Sequence, residues 1–301
     1  MRLVTRGDLD GLTSAVIITM KERIDEIALV HPQDITDKVF EIRSDDILAN
    51  VPYHPACGVW FDHHLLTASN EKPPPGFAGR HALAPSAARV VYDYYLEKHP
   101  NDPDLTRFAR LVDETDRLDG AQLTPADVDN PQDYILLGYT IDSRTGLGGF
   151  EGYFKTLVDW LKAMPIAEVL LQPEVKKRVD RIRAEQKQFT TLLQRSSFQL
   201  NNVVVTDLRE MERMPAGNRF VIYSLFPDTN VSVRVHWGPA RNSVIAAVGH
   251  SIFNRTCKTS VGELMSKYGG GGHRGAGTCV LPLDKAAEAI DEILNELQAN
   301  G

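Results

Sequence analysis

The sequence has little of what several classes of protein depend on. It contains only three cysteines, Cys57, Cys257 and Cys279, and an odd number at wide spacing without a C-x-x-C pair predicts reduced thiols rather than a disulfide framework. No apolar run approaches the roughly 20 residues of a transmembrane helix, and the first residues lack the basic and apolar regions of a signal peptide. We therefore expect a cytoplasmic protein without a membrane partner.

Positive charge is also in short supply. Lys and Arg number 33 against 40 Asp and Glu, which gives a formal net charge of −7. Proteins that coat long double-stranded nucleic acid are more often basic, because they must neutralise phosphates. The charge therefore favours a phosphorylated small molecule or a short oligonucleotide as partner, or an acidic metal pocket. The sequence leaves the oligomeric state, including a homodimer, open.

The length of 301 residues favours two domains. Within residues 1–190, short apolar runs that end in polar residues alternate with helical periodicity. This pattern predicts an α/β domain with a mostly parallel sheet flanked by helices. Residues 166–195 predict a long linking helix. Within residues 198–301, the β-branched runs NVVVTDL, RFVIYSLF, NVSVRVHW and NSVIAAVG and a last helix predict a smaller C-terminal α/β domain.

Helical periodicity predicts several shorter helices in the first domain. They are Leu12–Lys21, Pro85–Lys98 with Pro85 in its first turn, Pro103–Leu118 and Phe150–Met164. The glycine-rich stretch around Arg144 fits either a loop that covers a cleft or a simple turn between helices.

Two carboxylates, Asp8 and Asp10, follow the first predicted strand and precede Gly11. In an extended segment, residues two apart point to the same side. Like charges held together repel unless a cation lies between them, and oxygen ligands suit Mg²⁺ or Mn²⁺. The same residues also fit an Asp-rich turn in which Asp10 caps the following helix.

The tripeptide Asp62-His63-His64 follows the apolar run GVWF. Neighbouring side chains diverge at the end of a strand, so one histidine can bind a metal ion while the next faces substrate. Asp62 can then orient one of them. A polar surface cluster after a strand is the other interpretation.

An acidic row ends a predicted helix in LVDETDRLDG. Asp113, Asp116 and Asp119 lie three residues apart, roughly on one helical face. Negative charge at a helix C-terminus is unfavourable, so the row indicates a compensating cation. That cation is either a metal ion or the pair Arg110 and Arg117 on a solvated face.

Four consecutive glycines precede His273 and Arg274. Such a run loses much chain entropy on ordering, so we interpret it as a close approach of backbone N–H groups to a phosphate. The two following side chains would add charge-assisted hydrogen bonds. A flexible linker is the alternative. The candidate binding glycines are Gly270, Gly271 and Gly272.

In order and spacing, these segments resemble the motifs of the DHH family of phosphoesterases. The stretch Thr5–Gly11 is similar to the first motif, THGDLDG, and Asp62-His63-His64 matches the motif that names the family. Gly269–Ala276 is similar to the GGGGHxxA signature of the DHH-associated C-terminal domain. The resemblance spans nearly the whole chain, and it extends to family members that act on short oligoribonucleotides, bisphosphate nucleotides and polyphosphate.

The resemblance implies a hydrolase of phosphodiester or phosphoanhydride bonds with one or two Mn²⁺ or Mg²⁺ ions. It implies that His64, with Asp62 beside it, contacts the scissile phosphate or protonates the leaving oxygen. It also implies that Arg255, His273 and the glycine run hold a phosphate of the substrate. The metal ligands that it implies are Asp8, Asp10, His63 and a bridging carboxylate from Asp113 or Asp116.

Two positions depart from the family pattern. Arg6 stands where the family has His or Asp, and Asn50 aligns best with a bridging Asp. Arginine has no acceptor to offer a metal ion, so Arg6 replaces one cation or binds a substrate phosphate. Asn50 remains a weaker candidate ligand. These departures leave open a catalytically impaired regulator that binds a nucleotide or phosphate.

Overall fold

A computed structural model describes residues 1–66, 71–141, 149–211 and 217–300. The stretch around Arg144 lies outside these residues. The chain forms two compact units, Met1–Gln122 with Pro131–Arg181 and Leu123–Asn130 with Ile182–Gly301. The sequence-based division at 1–190 and 198–301 stays a prediction.

The first unit is built on a five-stranded parallel sheet, which confirms the predicted fold class. The strand order is β2-β1-β3-β4-β5, and every residue of β1 and β3 is buried. A parallel sheet is covered on both faces, so its strands are nearly continuous apolar runs. The strands are β1 (Arg2–Thr5), β2 (Glu26–Leu29), β3 (Asp46–Ala49), β4 (Val59–Asp62) and β5 (Gly79–His81).

Helices follow the strands of this sheet and carry most of its core. Those that precede the long helix are α1 (Leu9–Lys21), α2 (Pro32–Thr36), α3 (Ala87–Lys98), α4 (Pro103–Thr106), α5 (Ala109–Asp119), α6 (Pro125–Asp129), α7 (Asp133–Thr140), α8 (Phe150–Ala163) and α9 (Ile166–Leu170). Of these, α6 belongs to the second unit. The long helix α10 (Pro173–Ser196) begins in the first unit and continues into the second.

Helix starts differ from the predictions where a side chain caps the backbone. The first helix begins at Leu9, because Asp8 is its N-cap and accepts a hydrogen bond from the Gly11 N–H at 2.8 Å. The interpretation of Asp10 as the cap was therefore wrong. Helix α3 begins after its N-cap Ser86, which leaves Pro85 outside the helix.

Two predicted helices are divided. The prediction Pro103–Leu118 becomes α4 and α5, with Phe108 between them at φ −92° and ψ 0°. The prediction from residue 166 to residue 195 becomes α9 and α10. A proline has no backbone N–H to continue a helix but is favoured at the start of one, and Pro173 begins α10.

The second unit contains a six-stranded mixed sheet in the order β10-β11-β9-β8-β7-β6. Its β7 and β8 run parallel, and the other neighbours are antiparallel. The strands are β6 (Ser197–Leu200), β7 (Val203–Asp207), β8 (Val231–Trp237), β9 (Ser243–His250), β10 (Gly271–His273) and β11 (Ala276–Pro282). The helices are α11 (Val221–Leu225), α12 (Val261–Ser266) and α13 (Ala286–Ala299), besides α6 and the end of α10.

The run RFVIYSLF was predicted as a strand but forms α11. The side chain of Asn218 accepts a hydrogen bond from the Phe220 N–H at 3.0 Å, which turns the chain into the helix. The Tyr223 hydroxyl then fixes α11 on the sheet, because it donates to the carbonyl of Gly249 at 2.8 Å. A short apolar run does not by itself distinguish a strand from a helix.

The side chains of strand β8 alternate strictly between the two faces of the second sheet. Val231, Val233 and Val235 are buried in a core that also contains residues of α12 and α13. Ser232, Arg234 and His236 therefore point to the opposite face. Within the described ranges, no helix has the length and apolar character needed to cross a membrane.

Candidate metal centre

The Asp10 carboxylate is buried in the first turn of α1 and held by the start of another helix. Its Oδ1 accepts from the Ala88 N–H at 2.6 Å and its Oδ2 from the Ala87 N–H at 2.9 Å. The first N–H groups of a helix have no intrahelical acceptor, and they favour negative charge. The start of α3 thus fixes both oxygens of this carboxylate.

His63, directly after β4, presents an unpartnered nitrogen to the same place. Its Nδ1 lies 3.0 Å from the carbonyl oxygen of Ala84, and because a carbonyl only accepts, Nδ1 carries the proton and Nε2 keeps its lone pair. The Nε2 atom is buried without a hydrogen-bond partner among the described residues. It lies 3.7 Å from Asp10 Oδ2 and 3.6 Å from Asp119 Oδ2.

Asp10, His63 and Asp119 each offer one ligand atom, and these atoms lie within 4.8 Å of one another. Burial, together with the negative charges of Asp119 and Asp8, raises the pKa of Asp10 well above its usual range. Burial is also the main cause that raises the pKa of Asp119. Two carboxylates and an imidazole lone pair with this geometry fit a divalent cation, which would relieve the repulsion.

Asp8 contacts three donors among the described residues. Besides capping α1, its Oδ1 accepts from Asn50 Nδ2 at 3.1 Å, and its Oδ2 lies 3.1 Å from Arg6 Nε. Asn50 is buried after β3 in a left-handed conformation with φ 59°. The structure thus brings Arg6, Asp8 and Asn50 together, with the positive charge of Arg6 already on the Asp8 carboxylate.

The structure does not bring Asp113 and Asp116 to His63. Arg89 of α3 donates from Nε to Asp116 Oδ2 at 2.8 Å and from Nη2 to Asp113 Oδ1 at 2.6 Å. Asp116 also accepts from Ser86 Oγ at 2.6 Å. Of the acidic row, only Asp119, at the end of α5, lies beside His63 in the described part of the chain.

The cations proposed from the sequence for the acidic row have other partners. Arg117 bonds Glu114 at 2.7 Å, and Arg110 pairs with Asp133. Arg89, which neutralises two carboxylates of the row, comes from a different helix, so no local spacing in the sequence points to it.

His64 lies beside the cluster, with its side chain 51% exposed. Its Nδ1 bonds Asp62 Oδ1 at 2.8 Å, and the same oxygen accepts from the His63 N–H at 2.9 Å. The hydrogen bond with Asp62 is the main cause that raises the pKa of His64. The rings of His63 and His64 are 4.2 Å apart between centroids. The Asp62 carboxylate therefore orients both the backbone at His63 and the ring of His64.

His81 at the end of β5 supports this arrangement, whereas its place in the sequence suggests either a substrate contact or a solvent-exposed pair with Arg80. Its Nε2 lies 2.8 Å from the carbonyl oxygen of His64. Its ring stacks on Trp60, with 5.1 Å between centroids and 4° between planes. An aromatic stack of this kind fixes the ring, so His81 holds the backbone at His64.

Comparison with solved structures finds a similar protein over the full length of the chain. No protein-family model matches the chain, and no curated protein sequence matches it. Among solved structures, the pGpG-specific phosphodiesterase PggH from Vibrio cholerae is 37% identical with a TM-score of 0.85, and the alignment covers 100% of this chain and 99% of that one. The chain belongs to the DHH family of phosphoesterases.

Two more distant structures share the fold of this DHH phosphoesterase. RecJ from Thermus thermophilus in complex with Mn²⁺ is 14% identical with a TM-score of 0.59, over 99% of this chain and 52% of that one. The DHH domain of a protein described as belonging to a family of ribosomal proteins is 12% identical with a TM-score of 0.61, over 99% and 86%.

The glycine run of this DHH phosphoesterase forms an edge hairpin in the second unit. Strand β10 pairs with β11, so that Gly272 faces Gly277. A Cβ at Gly270 would overlap the carbonyl oxygen of Thr278, and one at Gly272, where φ is +152°, would overlap that of Ala276. Close backbone packing thus accounts for two of the glycines.

The other residues predicted to bind substrate phosphate lie in the same unit. His273 Nδ1 accepts from the Gly275 N–H at 3.1 Å, and the Arg274 carbonyl accepts from the Val261 N–H at 2.9 Å. Arg255 Nε donates to the Ile252 carbonyl at 3.1 Å. Phosphate binding by these residues and by Gly271 stays a prediction.

Proposed function

We propose that this protein is a metal-dependent phosphodiesterase that hydrolyses short oligonucleotides, with the linear dinucleotide pGpG as the first substrate to test. The observation that carries the proposal is the buried His63 Nε2, unpartnered in the described residues and within 4 Å of two carboxylates. The identity of 37% over the full length of a pGpG-specific enzyme supports the choice of substrate.

Asp10, His63 and Asp119 are the residues that would hold a divalent ion, with Mn²⁺ or Mg²⁺ matching the donor set. A bound ion would supply positive charge to the phosphoryl oxygens and make a water molecule more acidic. The Arg6 guanidinium, 3.1 Å from Asp8, argues against a second ion on that carboxylate. We therefore propose one ion as the minimum complement.

The protein's own groups then position and protonate the substrate. His64, held at Nδ1 by Asp62, directs its Nε2 proton to the leaving oxygen as a general acid. Arg6 is 46% exposed and uses Nε for Asp8, which leaves its terminal nitrogens for a phosphoryl oxygen. The glycine hairpin, His273, Arg274 and Arg255 are the proposed holders of a further substrate phosphate.

The first experiment measures nucleotide or phosphate release from a panel of pGpG, a second dinucleotide, a 3′,5′-bisphosphate nucleotide, a cyclic dinucleotide and polyphosphate. Each is assayed with Mn²⁺, with Mg²⁺ and with chelator. We expect metal-dependent release from pGpG that His63→Ala abolishes. His54→Ala is the matched control, because His54 Nδ1 accepts from the neighbouring Ala56 N–H at 3.2 Å and His54 is not part of the cluster of Asp10, His63 and Asp119. Turnover that survives in chelator would contradict the proposal.

A regulator that binds a phosphorylated ligand without cutting it is the second candidate. The pairing of Arg6 with Asp8, and the amide of Asn50 on the same carboxylate, favour it. It predicts ligand binding without turnover on any panel member and no retained metal. Metal analysis of the purified protein, done beside the panel, separates the two functions.

A further inference from the structure

The Asp119 carboxylate lacks the support that the Asp10 carboxylate receives. Asp10 is held by two backbone N–H groups at the start of α3, whereas no described residue donates a hydrogen bond to Asp119. Asp119 is the last residue of α5, where a helix presents free carbonyl groups rather than N–H donors. The position of this carboxylate therefore depends on how the backbone at the end of α5 is held.

The end of α5 is closed by a tight backbone motif. The Ala121 N–H donates to the Leu118 carbonyl at 3.3 Å, and the Gln122 N–H donates to the Arg117 carbonyl at 2.8 Å. These two hydrogen bonds form a Schellman motif, in which the residue after the cap is left-handed. That residue is Ala121, with φ 50°. The motif thus fixes the direction in which the chain continues after Asp119.

The residues that follow this motif belong to the other compact unit. The chain enters the second unit at Leu123 and returns to the first unit at Pro131. We call the segment between these points, residues 123–130, the strap. Its buried apolar side chains include Leu123 and Val128. The strap therefore begins directly after the motif that closes α5.

Hydrogen bonds and packing hold the strap in the second unit. Thr124 Oγ1 accepts from the Asp127 N–H at 3.3 Å, and the Asp127 carboxylate accepts from the Thr124 N–H at 2.8 Å, so that a capping box fixes the start of α6. Helix α6 packs against α11. Helix α11 is held in turn on the second sheet, where the Tyr223 hydroxyl donates to the Gly249 carbonyl.

We propose that packing of the strap in the second unit holds the metal ligand Asp119 in place, with Leu123 and Val128 as positioning residues for its carboxylate. The inference rests on the metal centre proposed above and adds a support that comes from the second unit. Because the strap follows Asp119 through a short fixed motif, displacement of its anchored residues moves the end of α5. Loss of apolar contacts in the strap should therefore weaken metal binding while every ligand stays in the chain.

The test measures Mn²⁺ binding to the full-length protein by calorimetry in Val128→Ala and in the matched control Val233→Ala. Both changes shorten a buried valine of the second unit, but Val233 lies in the core of the sheet. We expect Val128→Ala to weaken Mn²⁺ binding about tenfold, as loss of an outer support of a ligand does, and Val233→Ala to leave it unchanged. Val128→Ile, which keeps a branched apolar side chain, should retain the wild-type affinity.

A second variant leaves the packing at both ends of the connection in place. Insertion of two glycines between Gln122 and Leu123 lengthens the chain between the α5 cap and the strap, and it should also weaken Mn²⁺ binding about tenfold. Hydrogen exchange provides a readout without metal. The amides of Ala121 and Gln122 should exchange faster in metal-free Val128→Ala than in metal-free Val233→Ala, because local opening of the cap becomes easier.

The outcomes separate the strap from the metal centre itself. Wild-type Mn²⁺ affinity in the insertion variant, or an equal loss of affinity in Val128→Ala and Val233→Ala, would overturn the role of the strap and leave the metal centre standing. A wild-type protein that binds no Mn²⁺ would overturn the metal centre and this inference with it.

Discussion

Replacement of Asp119 by Asn tests whether this residue, rather than Asp113 or Asp116, completes the metal cluster. Asn keeps the shape of the side chain and removes its charge. Outer contacts to metal ligands already change affinity by about 10- to 100-fold, so we expect loss of a ligand to weaken Mn²⁺ binding by at least about 100-fold. Hydrolysis should fall in parallel.

The same variant should be more stable than the wild-type protein when metal is absent. At a pH at which both carboxylates are ionised, two unit charges at 4.8 Å, the upper limit for the ligand atoms of Asp10 and Asp119, repel by about 3.5 kcal/mol at an effective dielectric constant of about 20. Asp119 is 35% exposed, so screening reduces the expected gain to roughly 1–2 kcal/mol. Thermal unfolding in chelator measures it, and added Mn²⁺ should stabilise only the wild type.

Asp113→Asn is the matched control, because it removes one negative charge from the same helix. Asp113 is 67% exposed and pairs with Arg89, so its loss should cost about 0–1 kcal/mol and leave Mn²⁺ binding intact. If Asp119→Asn kept Mn²⁺ affinity and Asp113→Asn lost it, the assignment of the cluster would be wrong.

Two further predictions concern the supports of the two units. Arg89→Met should lower the free energy of unfolding, measured in urea, by about 1–3 kcal/mol, because two carboxylates lose a charged donor. It should also weaken Mn²⁺ binding about 10-fold, because α3 would be held less firmly against α5. If neither value changed, Arg89 would not position α3 against α5. Gly272→Ala should destabilise the second unit by about 1–3 kcal/mol, because φ there is +152° and a Cβ would overlap the facing strand. Gly271→Ala is its control, since a Cβ there meets nothing within 4 Å, and equal unfolding midpoints for the two glycine variants would refute the packing argument.

Strands β1, β3 and β4 of the first unit could be predicted because burial on both faces leaves a simple signal, whereas β2 and β5, which are only partly buried, were not predicted. Every residue of Arg2–Thr5 is buried, and the run reads as apolar in the sequence. The wrong prediction of a strand at RFVIYSLF also has a physical cause. Its β-branched residues suit a strand, but Asn218 begins a helical turn, and the sequence alone does not show which local preference prevails.

The site was partly predictable for a related reason. His63 stands directly after β4, and Asp10 lies in the first turn of the helix that follows β1, so the parallel sheet itself brings them to one edge. The third carboxylate depends on how α5 packs on α3. Arg89 binds Asp113 and Asp116, whereas Asp119 lies beside His63. The sequence does not show this tertiary contact.

The hydrogen bonds from the start of α3 to Asp10 come from backbone atoms, which almost no substitution can remove. Ala87 and Ala88 contribute only their backbone N–H groups, and every residue except proline has one. Sequence drift at these two positions would therefore change packing without releasing the carboxylate. What the chain must preserve instead is the residue at which the helix starts, and that is set by Ser86, whose hydroxyl caps α3 through the Arg89 N–H at 3.0 Å. A shift of this start by one residue would misplace both donors together, so the geometry of the ligand is encoded in the register of a helix.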